Sequence, residues 1–259
     1  MNTAKDPFNP SPLRVIKTDR PRYIVVANAK GGCGKTTLTT NLASYYANSG
    51  RPTALIDYDV QGSSAYWLQQ RPENKPPITG VSAHSQDSRK LRNWMMRLPR
   101  DISRVIVDTP AGLGGTDLYD RVREADLLVL PILPSPIDIH AAARFIHDIH
   151  MTGCFRNEGK KLLVIANRIH SNTLMFDKLN RFLIQRDLPR VACIRDTQMY
   201  PQTMEHGLGI SDLTSQKANR ERRRWNQIGD WIERQFVETD SDASLPSQDS
   251  ESIHPEQRL

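Results

Sequence analysis

Apolar residues in this chain fall in short unbroken runs. Tyr23 to Asn28 (YIVVAN), Thr53 to Asp57 (TALID), Arg104 to Asp108 (RVIVD), Leu127 to Ile132 (LLVLPI), Leu162 to Asn167 (LLVIAN) and Val191 to Arg195 (VACIR) all lack the alternation of a strand with one wet face. A strand apolar throughout is one covered on both faces, which is the condition of a parallel sheet. Between most of these runs the apolar spacing becomes helical. Lys35 to Ser49 places Leu38, Leu42 and Tyr45 or Tyr46 on one side, and Gly50 and Pro52 close it. Ile137 to Met151 and Leu174 to Arg186 read the same way. From Arg71 to Ser103 the pattern is weaker. It opens as a loop, RPENKPPITG, and predicts an amphipathic helix over Asp87 to Leu98 with Leu91, Trp94, Met95 and Leu98 on its core face. Strand and helix alternate without an internal repeat, which predicts one α/β domain with a mostly parallel sheet and helices on both faces.

The ends of the chain have a different character. Residues 1–22 hold Pro7, Pro10, Pro12 and Pro21 and few apolar positions, so they read as a flexible arm before a domain spanning 23–237. Residues 238–259 carry six acidic residues and one arginine and read as a disordered acidic tail. The whole chain of 259 residues has a net charge of +6; the tail contributes −5, which leaves +11 on the rest. A basic body of that size suits a polyanionic partner, and equally a merely solvated basic surface. The longest apolar run, Leu127 to Leu133, is far short of a membrane span of about 18 residues. The N-terminus lacks the apolar stretch of a signal peptide, and the cysteines, Cys33, Cys154 and Cys193, are isolated. Both observations point to the cytoplasm.

The first apolar run leads into NAKGGCGKTTLTTNLA, Asn28 to Ala43. A strand, a glycine loop and a helix in that order form a phosphate-binding loop of the type G-x-x-x-x-G-K-[ST], here ending in Gly34, Lys35 and Thr36. Gly31, Gly32 and Gly34 let backbone N–H groups approach phosphates, Lys35 neutralises them, and the Thr36 hydroxyl is a magnesium ligand. Two details depart from the pattern: Ala29 stands at its first glycine, and Lys30 adds a second lysine. Asp108 ends a later strand in VIVDTPAG, where a carboxylate would hold the metal, and the loop Thr109 to Gly115 could sense a γ-phosphate. Asp57 and Asp59, in LIDYDVQG, end another strand.

KGGCGKTT (Lys30 to Thr37), DYDVQGS (Asp57 to Ser63) and DTPAG (Asp108 to Gly112) together resemble the ParA/MinD family of deviant Walker ATPases. The resemblance runs from about Tyr23 to Phe236. It implies a P-loop NTPase that uses ATP and Mg2+, with Lys30 crossing the interface of an ATP-bound homodimer to the partner's nucleotide. It implies that Asp59 orients the attacking water, that Asp57 supports the metal shell beside Thr36 and Asp108, and that Lys30 and Lys35 act on the transferred phosphate. Nucleotide contacts are expected from Gly31, Gly32, Cys33, Gly34, Lys35, Thr36 and Thr37. Further ones are expected from Asn167 and Arg168, since ANR resembles a strand-end segment that contacts adenine in several members. PSPID, Pro134 to Asp138, looks like the small partitioning branch. Val60 departs from the family, which usually has proline there, and this bears on the hydrolysis rate.

Within the family, the acidic C-terminal segment is unlike the basic membrane helix of MinD proteins, and 22 residues cannot hold the helix-turn-helix domain of large partition proteins. The resemblance therefore implies a small ParA-type ATPase, nucleoid-associated, that binds DNA without sequence preference and is stimulated by a ParB-like or other activating partner, with no membrane contact. KANRERRRW supplies the candidate DNA surface, Lys217, Arg220, Arg222, Arg223 and Arg224, on a helix whose Trp225, Ile228, Ile232 and Phe236 pack inward. Arg190 and Arg195 are secondary candidates, and a solvated basic face is the plain alternative. His147 and His150 have a metal-like spacing without a recognisable second cluster. A metabolic P-loop enzyme and a nucleotide-dependent DNA-binding regulator are the other function classes open to such a chain.

Overall fold

The computed structural model describes residues 20–83, 98–154, 161–170, 173–186, 188 and 190–243. Its frame is a seven-stranded sheet in the order β3-β2-β4-β1-β5-β6-β7, every pairing parallel. The strands are β1 Arg22–Val26, β2 Thr53–Asp57, β3 Ile78–Ser82, β4 Arg104–Asp108, β5 Leu127–Ile132, β6 Lys161–Ile169 and β7 Arg190–Arg195. The helices are α1 Lys35–Asn48, α2 Ser63–Gln69, α3 Gly115–Glu124, α4 Pro136–Met151, α5 Leu174–Gln185, α6 Met199–Glu205 and α7 Asn219–Ala243. Single 3₁₀ turns at Ile210–Asp212 and Gln216–Ala218 precede α7.

Alternate residues of each central strand feed opposite cores. Ile24 and Val26 join Leu38, Leu42 and Tyr46 of α1, Trp67 of α2, and Trp225, Ile228, Ile232 and Phe236 of α7. Val25 and Ala27 face the other way, onto Leu118 and Val122 of α3, Phe145, Ile146 and Ile149 of α4, and Leu179 and Leu183 of α5. That two-sided cover is why the runs show no polar alternation. The predicted strands and the three long helices stand within a few residues of their expected limits. Edge strand β3 lies inside the segment that reads as a loop. Two prolines precede it and Gly80 sits at its centre, packed so closely on α2 that a Cβ there would lie 2.4 Å from Leu68 Cδ2. The helix expected over Asp87 to Leu98 falls outside the described residues, except for Leu98.

The domain's edges differ from the sequence reading in two places. Arg20 and Arg22, assigned to the arm, are ion-paired with Asp126, and Arg22 already belongs to β1. At the other end α7 continues to Ala243, so the first residues of the acidic segment are helical.

Candidate functional site

Strand order reverses at β1, and the carboxyl ends of β1, β2 and β4 there form the crevice in which parallel sheets bind ligands. Asn28, just past β1, is buried; its Nδ2 donates to Pro131 O at 2.7 Å and its Oδ1 accepts from Lys30 N at 3.0 Å. Ala29 is no decayed glycine: it packs against the hydrophobic core on one face of the sheet and its carbonyl accepts from Gly112 N at 2.8 Å, joining the two loops of the crevice. Gly34 has φ +94° and begins α1 with no side-chain cap and no acidic residue in the first turn. The first N–H groups of α1 therefore point at the crevice without partners in their own helix, an anion site by construction.

Lys35 is buried, its Nζ 3.3 Å from Lys30 O. Cys33 also lies in the loop with Sγ 3.3 Å from Lys30 O, and burial pushes its thiol pKa up against the pull of Lys35. That environment keeps a thiol protonated. Lys30 turns to its own chain: Nζ is 2.8 Å from Asp138 Oδ1, with the lysine side chain about one-third exposed and the aspartate side chain buried (35% and 6%). Asp138 lies in the first turn of α4, where the Ser135 hydroxyl donates to its Oδ2. Asn167, at the end of β6, lies under the loop. Its Nδ2 donates to Cys33 O at 2.8 Å, and its Oδ1 accepts from Arg168 N at 2.9 Å. Asn167 thus uses both ends of its amide inside the chain, while Arg168 is exposed at φ +51°.

Asp57 and Asp108 stand opposite each other at the ends of β2 and β4. Asp57 accepts from Asp59 N and Ala65 N, both at 2.9 Å. Asp59 is half-buried, with its Oδ1 capping Gln61 N at 3.0 Å. Asp108 Oδ1 lies 3.3 Å from the Thr39 hydroxyl, while its buried Oδ2 has no hydrogen-bond partner among the described residues. Burial and the neighbouring Asp57 carboxylate push Asp108 up to about 7, against the Thr36 and Ser64 hydroxyls and Lys35. Two crowded carboxylates, one with an orphaned oxygen, beside a threonine hydroxyl are a donor set that fits Mg2+, which takes one or two carboxylates and completes its shell with phosphate and water. No group of three or more His, Cys, Asp or Glu able to hold a metal occurs among the described residues, so His147 and His150 belong to no such group.

Sequence reasoning missed Asp138 as the partner of Lys30, although PSPID contains it. It also missed Thr39, one turn beyond Lys35, and the clamp on Tyr58. Tyr58 lies between the two strand-end aspartates; its hydroxyl is 3.4 Å from Glu124 Oε1 and the Arg121 guanidinium lies 4.0 Å over its ring.

The candidate DNA residues divide. Lys217, Arg220 and Arg223 are exposed. Arg222 donates to Leu213 O and Asn219 Oδ1, and Arg224 to Cys193 O. Arg195 is paired at 2.6 Å with buried Glu221, which Tyr200 also bonds. Among the described residues no helix is long and apolar enough to cross a membrane.

A glycine loop at the end of β1, a lysine at the start of α1 and paired carboxylates on neighbouring strands define a P-loop nucleotide-binding domain. The family model described as "CobQ/CobB/MinD/ParA nucleotide binding domain" matches residues 24–209, and the chain belongs to that family. Among curated relatives, the chain is 28% identical over 218 residues to "Maintenance of carboxysome distribution protein A" of Gloeobacter kilaueensis, covering 83% of this chain and 96% of the relative. Among solved structures it is similar to the ATP complex of a Cyanothece McdA variant, with TM-score 0.64 and 16% identity, covering 82% of this chain and 98% of that one. It is also similar to the septum site-determining protein MinD of Pyrococcus horikoshii with Mg-ADP, with TM-score 0.62 and 17% identity over 82% and 96% of the two chains.

Proposed function

We propose that this protein is a ParA-like ATPase that dimerises around ATP and Mg2+, binds DNA without sequence preference, and hydrolyses ATP when an activating partner docks, so as to position a cargo. The carrying observation is the pairing of a complete phosphate site with Lys30, whose partly exposed side chain ends on a carboxylate of its own chain. An ammonium there can be delivered to a second nucleotide, where fixed positive charge stabilises the transferring phosphoryl group. In this reading the N–H groups of Gly31 to Thr37 cradle the phosphates, Lys35 neutralises them, and Thr36 and Asp108 hold the metal with support from Asp57. Bound Mg2+ supplies charge neutralisation across the phosphates. Asp59 orients water, and the exposed Lys217, Arg220 and Arg223 meet DNA. The relatives' names, carboxysome distribution and chromosome partitioning, favour cargo positioning; a DNA-bound dimer would do this in the cytoplasm, on the nucleoid.

Sedimentation with Mg-ATP tests the central claim. The wild type dimerises, and Lys30→Ala binds ATP as a monomer that does not hydrolyse it. A wild-type-like dimer of the variant defeats the reading. A metabolic enzyme of the same superfamily is the second reading. It is favoured by a cavity of about 240 Å3 reaching Asp57 between β2, β3 and α2. Turnover that requires a small metabolite, rather than DNA or a protein, would decide for it.

A further inference from the structure

A second cavity, of about 430 Å3, lies at the end of α1 remote from the phosphate loop. Tyr45 and Asn48 line it from α1 with Ser49 just past its end, and Asn219, Arg222 and Arg223 line it from the start of α7. No carboxylate lines it among the described residues. Arg222 is fixed there by two neutral acceptors, Leu213 O at 2.8 Å and Asn219 Oδ1. Those bonds hold the guanidinium plane and leave its charge uncompensated, with three of its five N–H groups still to be used. Arg223 is exposed beside it, its Nε at the limit of bonding to Asn219 O, 3.4 Å. The adjoining arginines differ: Arg195 and Arg224 both lie against buried Glu221. Buried Asp212 is already engaged by Arg71, Asn48 and Ser44, and the next acid after Glu221 on α7, Asp230, is exposed and influences Tyr45.

One oriented and one exposed guanidinium without a carboxylate suit a tetrahedral oxyanion, which takes bidentate bonds from such forks. The volume exceeds that of a lone phosphate and falls in the range of small-ligand pockets. We propose that this cavity is a second anion site, separate from the phosphate loop, that seats a phosphate ester. The ester can be a backbone phosphodiester of DNA, which rests on the DNA reading above, or a free nucleotide, which does not.

The test uses the full chain with its phosphate loop saturated by a non-hydrolysable ATP analogue and Mg2+. Two probes are titrated, deoxyadenosine monophosphate and a short duplex of arbitrary sequence, against wild type, Arg223→Gln and Asn226→Asp. Asn226 is exposed and lines the cavity, so a carboxylate there opposes an anion without disturbing the core. Arg220→Gln, outside the lining, is the comparator. The expected result is a loss of about tenfold or more in affinity for the monophosphate in both cavity variants and not in the comparator. If DNA is the source, the salt slope of duplex binding also falls by about one in Arg223→Gln. Loss in the monophosphate arm alone assigns the site to a free nucleotide, and a wild type that ignores duplex defeats the DNA reading by itself. A loss confined to the duplex arm assigns the site to the DNA backbone, provided it exceeds that of Arg220→Gln. A wild type that binds neither probe, cavity variants that bind both normally, or duplex losses matched by Arg220→Gln with no monophosphate effect each overturn the proposal.

Discussion

Replacing Asp138 with asparagine tests the contact that holds Lys30 at home. In the proposed dimer Lys30 reaches the partner's nucleotide, so its 2.8 Å pair with Asp138 must open first. At about 3 Å and an effective dielectric near 20, the bare attraction is roughly 5–6 kcal/mol. Desolvation of the buried aspartate and the one-third exposure of the lysine side chain reduce the net value to about 1 kcal/mol. Each dimer opens two such pairs, so about 2 kcal/mol opposes assembly. Asp138→Asn removes that opposition and should tighten the ATP-bound dimer by about 30-fold. The Ser135 hydroxyl still accepts from the backbone N–H of residue 138, so the helix cap survives. Sedimentation equilibrium with a non-hydrolysable ATP analogue measures the change, and thermal melting of the monomer confirms that the fold is intact. An unchanged or weaker dimer in a variant of normal stability would refute the argument, because the ion pair would then not compete with assembly.

Other substitutions probe the frame around the site. Gly34→Ala puts a Cβ 2.2 Å from Asn167 Nδ2 at φ +94°, which should destabilise the fold by about 1–3 kcal/mol and abolish binding of a fluorescent ATP analogue; denaturant titration and fluorescence report the two effects. Gly229→Ala drives a methyl to 2.0 Å from the Tyr45 ring between α7 and α1, with an expected loss of about 1–3 kcal/mol in chemical denaturation. Burial raises the pKa of Asp212, but bonds from Arg71, Asn48, Gly209 N and Ser44 outweigh it and hold the folded value below the ordinary 3.8. Its stabilising contribution is therefore complete above the ordinary value and lost as pH falls through the lowered one. Asp212→Asn should be less stable at neutral pH and should lose less stability on acidification below pH 5, as followed by urea midpoints.

The parallel sheet was readable because burial on both faces leaves no alternation to confuse, and the phosphate loop because its glycines, lysine and threonine are contiguous. β3 escaped because an edge strand with a central glycine and leading prolines has little apolar signal. The Lys30–Asp138 pair escaped for a different reason: its members are far apart in sequence and meet only because β1 and β5 are neighbours in the sheet. The arginine run shows the limit of composition. Five basic residues look alike in KANRERRRW, yet Arg222 turns to Leu213 O and Asn219 Oδ1, Arg224 turns to Cys193 O and buried Glu221, and Lys217, Arg220 and Arg223 are left to solvent.

Helix α1 has a mechanical consequence. Its 14 residues make a rod of about 21 Å with the phosphate loop at one end and the arginine-lined cavity at the other. Near the far end Asn48 and Ser44 are bolted to Asp212, and through it to Arg71, just past the end of α2. Held this way, the rod sets the loop residues Lys35 and Thr36 against the same frame that fixes Asn48 at the cavity. The two anion-facing ends of the molecule are therefore spaced by a single element, and a substitution that shortens or breaks α1 moves one against the other.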